Sequence, residues 1–428
     1  MQDRTLSPDA LPRVTYSNVA EDFSGVHAHL DTVIPAVKAS LLGRDRANRI
    51  AGRDDRTGTA FVAVSPIDRD IALGTFWSAP PEAVDRAVAA ARAASDGWRR
   101  LGWEKRAALC HRIADAMTAR RFEMAAACLI EVGKSRMEAL GEVEEAIDLV
   151  RFYADELIAN RGFERDLKRA NPREETRDVL RPFGVFGVIA PFNFPVALSI
   201  GMSVSALLAG NTVVFKPSPT AGLTGRLLTD CISEAGLPEG VFNLVCGGAE
   251  TGAAIVAHPG IDGIAFTGSH AVGMGIMRGF GVGGAHAKPV LAEMGGKNPA
   301  YVTSSADIET AAAGMARSAF GLQGQKCSAG SVVFVHDAVR EVFLDSLRAR
   351  AAAMRIGDPR DRDVFMGPVI GEAARRRFDE AVAAARAAGG TVTGGRVLSG
   401  GLFDRGAYVE PTIVDGLPDD HALHRDEL

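Results

Sequence analysis

The spacing of apolar residues predicts helices between residues 82 and 160. Apolar positions recur there at intervals of three and four, the period of one face of an α-helix. In EAVDRAVAAARAASDGW these positions are Val84, Val88, Ala91, Ala94 and Trp98. Alanine is frequent on these faces, so we expect the helices to pack closely. The stretch before residue 60 is polar, which predicts irregular structure and a surface connection at AGRDDRTGTA.

Beyond Leu180 the pattern changes to short apolar runs that alternate with helical stretches of roughly ten to fifteen residues. The runs are VFGVIA from 185, TVVF from 212, VFNLV from 241 and GIAF from 263. SVVFV from 331 resumes the alternation, and two helical stretches follow it. Such alternation with right-handed crossovers predicts an α/β fold built on a parallel sheet. We place a division into two α/β units near residue 292.

Composition narrows the class of protein. The 428 residues are 47% hydrophobic, which suffices for two cores. The net charge is −5 and no basic block is present, so nucleic acid is not expected as a partner. Five widely spaced cysteines without a CxxC pair argue against a disulfide framework or a metal site, and favour a reducing compartment.

The chain ends bear on location. The N-terminal stretch MQDRTLSPDALPRV has acids and prolines where a secretory signal needs an apolar core, and no stretch approaches the length of a membrane span. The final RDEL resembles a retention signal of the endoplasmic reticulum, which requires a signal peptide for entry. We therefore expect a soluble cytoplasmic protein without membrane contact.

One cysteine lies in a stretch that fits chemistry, FGLQGQKCSA at 320–329. A free thiol is only slightly ionised at neutral pH, so a nucleophilic Cys327 needs help from its surroundings. Gly321 and Gly324 allow a close approach of the backbone, and the residues after the cysteine are small. A cysteine beside glycine and alanine is, however, more often a small buried apolar residue.

Two further motifs contain polar residues after apolar strands. Glu293 in LAEMGGKNPA is solvated or paired with Lys297 by default, but partial burial in a cleft raises a carboxyl pKa and creates a base for water. Asn193, between Pro191 and Pro195, is typical of a capping turn. Its amide N–H is alternatively a fixed donor to an oxyanion.

Five motifs in this order, PFNFP, NTVVFKPSP, FTGSHAVG, EMGGKNP and FGLQGQKCS, resemble the aldehyde dehydrogenase superfamily, and the resemblance extends from about residue 60 to the end. It implies a Rossmann-like NAD(P)-binding domain and a second α/β catalytic domain. The predicted division is an N-terminal extension at 1–60, the cofactor domain at 61–292 and the catalytic domain at 293–428. A hairpin at 161–182 is expected to support a homo-oligomer.

The resemblance also implies a mechanism. Cys327 adds to the aldehyde carbon, and the Asn193 side chain with the Cys327 backbone N–H holds the oxyanion of the hemithioacetal. Hydride passes to the nicotinamide and leaves a thioester, which Glu293 hydrolyses by activating water. An intact Glu293 favours water over coenzyme A as the acceptor.

The family binds its cofactor without the usual Rossmann fingerprint. GFGVGG at 279–284 fits that fingerprint, but we reject it because it follows a predicted helix rather than a strand. FTGSHAVG, at a strand-to-helix junction, is the better phosphate turn. The implied cofactor residues are Ile189, Lys216, Ser218, Gly268, Ser269, Gly273 and Glu427.

Two departures from the family pattern qualify this picture. Pro219 occupies the position where NAD-preferring members often have a glutamate, so NAD is the expected cofactor with NADP as the alternative. The late Glu-x-Phe motif is matched only by Glu427 and Leu428, and we therefore expect a C-terminally truncated catalytic domain.

Within the superfamily, SAFGLQGQKCSA, IGDPRDRDVFMGPVI and YVEPTIV are similar to Δ1-pyrroline-5-carboxylate dehydrogenases, which oxidise glutamate γ-semialdehyde to glutamate in proline catabolism. The hydroxyl of Ser328 fits a substrate carboxylate, or it merely satisfies the turn. Another acidic semialdehyde, such as succinylglutamate semialdehyde, is the alternative substrate. A non-catalytic relative with a binding or structural role is the alternative outside this class.

Overall fold

The computed structural model describes residues 11–15, 17–18, 21–284 and 287–428. The stretch on which we predicted the lack of a secretory signal lies mostly outside these residues. The helices described are α1 (Ser24–Leu41), α2 (Pro81–Arg100), α3 (Trp103–Ala119), α4 (Arg121–Val132), α5 (Arg136–Ala159), α6 (Ala197–Leu208), α7 (Gly222–Glu234), α8 (Ala249–Ala257), α9 (His270–Gly279), α10 (Ile308–Phe320), α11 (Arg340–Ala353) and α12 (Glu372–Ala387).

The strands alternate with these helices over most of the chain. They are β1 (Arg44–Arg46), β2 (Asn48–Ile50), β3 (Arg53–Asp55), β4 (Thr59–Val64), β5 (Ala72–Ser78), β6 (Glu164–Asp166), β7 (Arg177–Val179), β8 (Val185–Ile189), β9 (Thr212–Lys216), β10 (Phe242–Leu244), β11 (Gly263–Gly268), β12 (Val290–Met294), β13 (Asn298–Val302), β14 (Gly330–Val335), β15 (Thr391–Thr393) and β16 (Ile413–Asp415).

The chain divides into two compact units. The first contains residues 1–63, 73–127 and 140–293, and the second contains residues 64–72, 128–139 and 294–428. The predicted domain bounds, 1–60, 61–292 and 293–428, stay predictions, and so do the cofactor-binding and catalytic functions predicted for the last two domains. In the described part of the chain, no helix is both long and apolar enough to span a membrane.

The first unit is built on a seven-stranded sheet in the order β12-β11-β8-β9-β10-β2-β3. The neighbours β11, β8, β9 and β10 run parallel, while β2 joins β10 antiparallel at one side. Every residue of β8, β9 and β10 is buried. Strands buried on both faces consist of continuous apolar runs, so the runs identified in the sequence correspond to these strands. The predicted α/β class with a parallel sheet is confirmed.

The residues before position 60 do not match the prediction of irregular structure. Helix α1 occupies much of this stretch, and Val26, Leu30, Ile34 and Val37 are buried along one of its faces. Their spacing of four, four and three is a helical period that the polar residues between them obscured. The predicted surface connection at 51–60 also contains β3 and the start of β4.

The region from 82 to 160 is helical, as predicted, and consists of α2 to α5. Trp98, the last residue of the apolar series, is buried and donates from Nε1 to the carbonyl of Leu207 at 3.0 Å. The 161–182 stretch contains the antiparallel pair β6 and β7. Both of these short strands are largely exposed.

Two two-stranded sheets and two apolar clusters lie among the described residues of the second unit. Strands β13 and β14 pair in parallel, and β15 pairs with β16 antiparallel. One cluster lies between α10 and α11 around Phe320 and Phe343, and another surrounds Phe378 of α12. The strand at 331 and both helical stretches after it were predicted from the sequence and are confirmed.

Candidate active site

Cys327 differs from the other cysteines in its exposure. It is exposed, whereas Cys110, Cys128, Cys231 and Cys246 are buried. Burial raises the pKa of the Cys110 and Cys231 thiols to about 12, which keeps them protonated and unreactive at neutral pH. The structure therefore contradicts the alternative that Cys327 is a small buried apolar residue.

The backbone at Cys327 is fixed by a side chain from β13. Asn298 donates from Nδ2 to the carbonyl of Cys327 at 2.7 Å and to the carbonyl of Ala329 at 3.0 Å. One amide therefore holds the chain on both sides of Ser328, whose side chain is exposed. These bonds fix the loop while the thiol and the hydroxyl stay accessible.

The chain segment that precedes Cys327 contains two residues whose backbone angles lie in the left-handed region. Leu322 has φ 46° and Gln323 has φ 58°, a conformation that is uncommon outside glycine. Glu138 holds this segment, because its Oε2 accepts from the Leu322 N–H at 3.2 Å and its Oε1 pairs with Lys326 Nζ at 2.8 Å. The partly buried ion pair thus fixes the residue directly before the cysteine.

Glu427 lies beside the EMGGKNP motif in the second unit. A Cβ added at Gly295 would lie 1.6 Å from Glu427 Oε2, so only glycine permits this approach. Burial lowers the pKa of the neighbouring Lys297, and the charges of Glu427 and Asp426 act in the opposite direction. The structure therefore brings Glu427 and Cys327 to the same short segment, 295–298.

Asn193 lies in the turn between β8 and α6 in the first unit. Its Oδ1 accepts from the Phe194 N–H at 3.0 Å, which fixes the orientation of the amide. The role predicted for this residue requires the other end of the amide, Nδ2, as a donor. The residue is partly exposed, so the amide has access to a ligand.

Glu293 belongs to the first unit as well. It lies on β12, where alternate residues are exposed, and its own side chain is on the exposed side. The side chain is therefore solvated, as in the default interpretation of the motif, and the role of Glu293 as a base for water stays a prediction.

Three of the predicted cofactor residues lie at or just after the ends of β8 and β9, which pair directly. Ile189 lies opposite Lys216 in the register of these strands, and it lies opposite Phe266 of β11 on its other side. Ser218 follows two residues later and bonds the Thr220 hydroxyl at 2.9 Å. The carboxyl ends of three neighbouring strands thus meet at one edge of the sheet.

This edge contains the point where the chain changes direction across the sheet. From β8 the chain moves to β9 and β10 on one side and then returns to β11 on the other side. In open α/β sheets, ligands bind outside the carboxyl ends of strands at such a point. Ile189 and Gly268, at the ends of β8 and β11, flank it.

Lys216 is buried rather than solvated. Its side chain donates from Nζ to the carbonyls of Pro217 at 3.0 Å and Gly247 at 3.2 Å, with only 6% of the residue exposed. Desolvation lowers the pKa of this lysine to about 8, against a smaller opposing effect of Cys246. Lys216 is therefore not a solvated lysine at a strand end.

The junction of β11 and α9 fits an anionic group. A side chain at Gly268 would meet the ring of Phe266 at 2.6 Å, so the backbone is bare at this point. Ser269 is the N-cap of α9, but its hydroxyl makes no capping bond to the first turn. The N–H groups of that turn therefore keep the orientation that binds phosphate, and Gly273 is buried within the helix. GFGVGG begins at the last residue of α9, so the reason for rejecting it is confirmed.

Several residues that fix these segments were not identified from the sequence. Asn298 belongs to the EMGGKNP motif, and that motif was the only available signal. Glu138 and Lys326, which form an ion pair, are far apart in sequence. Glu142 is also far in sequence from its hydrogen-bond donors, the backbone N–H groups of Val196 at 2.8 Å and Ala197 at 3.2 Å. No local pattern reveals pairs of this kind.

The two units together define an α/β protein with a nucleotide-type sheet edge in one unit and an exposed cysteine on a fixed loop in the other. The model of the aldehyde dehydrogenase family matches residues 53–428. The chain therefore belongs to the aldehyde dehydrogenase family, which confirms the resemblance drawn from the five motifs and the class of enzyme it implied.

Similar proteins include 1-pyrroline-5-carboxylate dehydrogenases, the branch of the family that the sequence motifs resemble. The 1-pyrroline-5-carboxylate dehydrogenase 1 of Halalkalibacterium halodurans is 35% identical over 90% of this chain and 75% of its own length. The alpha-ketoglutaric semialdehyde dehydrogenase of Bacillus subtilis is 35% identical over 87% of this chain and 76% of its own. The solved 1-pyrroline-5-carboxylate dehydrogenase from Thermus with bound NAD is 30% identical, with a TM-score of 0.89, over 97% of this chain and 80% of that one.

The lowered pKa of Lys216 predicts how stability depends on pH. An unfolded lysine titrates near 10.5, so between pH 8 and 10.5 the unfolded chain binds more protons than the folded protein. The burial penalty is complete below pH 8 and disappears as the pH rises to 10.5. We expect the free energy of unfolding of the wild type, relative to Lys216→Met, to rise by on the order of 3 kcal/mol over this window. Urea unfolding of both proteins at several pH values measures this difference in the free energy of unfolding. A difference that does not change with pH would contradict a buried, protonated Lys216.

Proposed function

We propose that the protein is an NAD-dependent aldehyde dehydrogenase that oxidises glutamate γ-semialdehyde, the open form of pyrroline-5-carboxylate, to glutamate in proline catabolism. The exposure of Cys327 on a loop fixed by Asn298 is the observation that carries the proposal. The relatives named 1-pyrroline-5-carboxylate dehydrogenase support the substrate.

The chemistry begins at the sulfur. The Cys327 thiolate forms a C–S bond to the aldehyde carbon, and the carbonyl oxygen becomes an oxyanion that accepts from Asn193 Nδ2 and the Cys327 backbone N–H. One oxyanion donor contributes roughly 10²- to 10³-fold to the rate. NAD, when bound, supplies the acceptor for the hydride that leaves this carbon. Glu293 then takes a proton from water, the water oxygen attacks the thioester at Cys327, and the C–S bond breaks to release the acid and the thiolate.

The residues at the sheet edge hold the dinucleotide in this proposal. The N-terminal turn of α9, after Gly268 and Ser269, binds the pyrophosphate. Lys216 binds the adenosine ribose, while Ile189 and Ser218 line the edge. Glu427, which belongs to the second unit, binds the nicotinamide ribose. The Thermus relative with bound NAD supports NAD as the cofactor. NADP is the alternative because Pro219 provides no carboxylate for the ribose hydroxyls.

Ser328 binds the substrate tail in this proposal. Its exposed hydroxyl is next to the nucleophile and can donate to a carboxylate. An acidic semialdehyde fits this feature in general, and the Bacillus subtilis relative, named for alpha-ketoglutaric semialdehyde, has the same identity of 35%. Alpha-ketoglutaric semialdehyde is therefore a second candidate substrate.

A nucleophilic thiol must stay reduced, so the proposed location is the cytoplasm. The proposed assembly is a homo-oligomer formed through the 161–182 hairpin. Around β6 and β7, Phe163, Leu167, Leu180 and Phe183 are large apolar residues that are 42–61% exposed. Exposed apolar groups that cluster in this way are typical of an interface.

Turnover tests the proposed chemistry. The full-length protein should produce NADH with pyrroline-5-carboxylate faster than with alpha-ketoglutaric or succinylglutamate semialdehyde. Cys327→Ala should abolish turnover, because no other thiol forms the covalent intermediate. Cys110→Ala removes a buried thiol and should retain the wild-type kcat. Preference for another acidic semialdehyde would overturn the substrate, and no turnover on any of them would favour a non-catalytic role.

The hairpin proposal predicts a change of assembly. Replacing Leu167 and Leu180 together by glutamate introduces charge into the proposed interface, so sedimentation velocity should show smaller particles than the wild type. Val342→Glu changes a residue of α11 that is also apolar and exposed, and it should leave the assembly intact. A wild type that sediments as a monomer, or a double variant that sediments like the wild type, would contradict the interface.

A further inference from the structure

Glu142 is a buried carboxylate that none of the steps above uses. It lies on α5 and is completely shielded from solvent. A buried carboxylate is retained only where hydrogen bonds compensate for lost hydration. Its Oε1 accepts from the backbone N–H groups of Val196 at 2.8 Å and Ala197 at 3.2 Å.

These two N–H groups belong to the start of α6. The first turn of a helix leaves its N–H groups without partners inside the helix. The N-cap residue of α6 is Val196, whose apolar side chain makes no capping bond. Glu142 therefore supplies from another helix the acceptor that a serine or aspartate at the N-cap usually provides, and its charge is favourable at the positive end of the helix dipole.

The start of α6 is joined to the turn that contains Asn193. The Phe194 carbonyl accepts from the Leu198 N–H at 3.2 Å, and the Phe194 N–H donates to Asn193 Oδ1 at 3.0 Å. Pro195, between these bonds and Val196, restricts the backbone further. A shift of the first turn of α6 is thus transmitted through Phe194 to the Asn193 amide.

We propose that Glu142 is a positioning residue, which fixes the first turn of α6 so that the Asn193 amide is aimed at the oxyanion. The inference rests on the proposed dehydrogenase function. An oxyanion donor stabilises the transition state more than the bound substrate. Loss of Glu142 therefore lowers kcat and leaves the KM values for aldehyde and NAD nearly unchanged.

The test compares Glu142→Leu and Glu142→Asp with Asn193→Ala and with the combined Glu142→Leu, Asn193→Ala variant. Aspartate is one methylene shorter, so it withdraws the carboxylate from Val196 and Ala197 while retaining the charge, and it serves if the leucine variant does not fold. Glu156→Leu makes the same change on the exposed face of α5 and is the matched control.

We expect Glu142→Leu to reduce kcat by roughly 10²-fold, with KM values within about threefold of the wild type. Glu142→Asp should reduce kcat by about tenfold, and Glu156→Leu should match the wild type. The combined variant should be no slower than Asn193→Ala alone, because both changes remove the same donor. A folded Glu142 variant with wild-type kcat, or losses that multiply in the combined variant, would overturn the inference.

Hydrogen exchange distinguishes this inference from the proposed function. The segment 191–200 should exchange faster in the Glu142 variants than in the wild type or Glu156→Leu, whether or not the protein oxidises an aldehyde. If the variants exchange faster but the wild type shows no turnover, the proposed dehydrogenase activity is refuted, while the contact of Glu142 with the first turn of α6 is supported. Unchanged exchange beside an active wild type would refute the positioning role alone.

Discussion

The parallel register of β8, β9 and β11 is the constraint on which the candidate cofactor site depends. Because Ile189 pairs with Lys216 on one side and with Phe266 on the other, the three strands end within two residues of a common line. Parallel strands bring their carboxyl ends to the same edge, and the chain reverses its direction across the sheet at β8. The turns after the strands therefore converge, although they are far apart in sequence.

Buried and partly buried charges on neighbouring elements fix the segments that contain the candidate site residues. Glu142 accepts from the first turn of α6, Lys216 donates to two carbonyls, and Glu138 holds the chain before Cys327. Each charge is retained because the bonds to backbone groups or an opposite charge compensate for its desolvation. Rigid support of this kind is what a site needs if its donors are to be in place before the reaction.

The sequence predicted the buried parallel strands well for a physical reason. Strands covered on both faces are mainly apolar, so VFGVIA and TVVF can be identified without any alignment. Helix α1 was missed because its four buried residues lie among exposed polar ones and Pro35 interrupts the pattern. Ordered motifs identified Cys327, Glu293 and Asn193 as candidates, and the structure adds the exposure of the thiol.

The residues that fix the backbone around the candidate site could not be predicted in the same way. Glu142 and Val196 are separated by 54 residues and Glu138 and Lys326 by 188, so their contacts depend on the packing of whole elements. A single sequence shows local periodicity and motif order, but not which of the several acids on α5 are buried. The same limit applies to Lys216, whose burial depends on the backbone at Gly247.

Hydrogen exchange with and without NAD tests whether the ends of β8, β9 and β11 bind the dinucleotide. If they do, NAD slows exchange in segments 189–195, 216–222 and 268–273 and leaves exchange in α12 unchanged. Protection confined to other parts of the chain, or none at saturating NAD, would exclude this binding site.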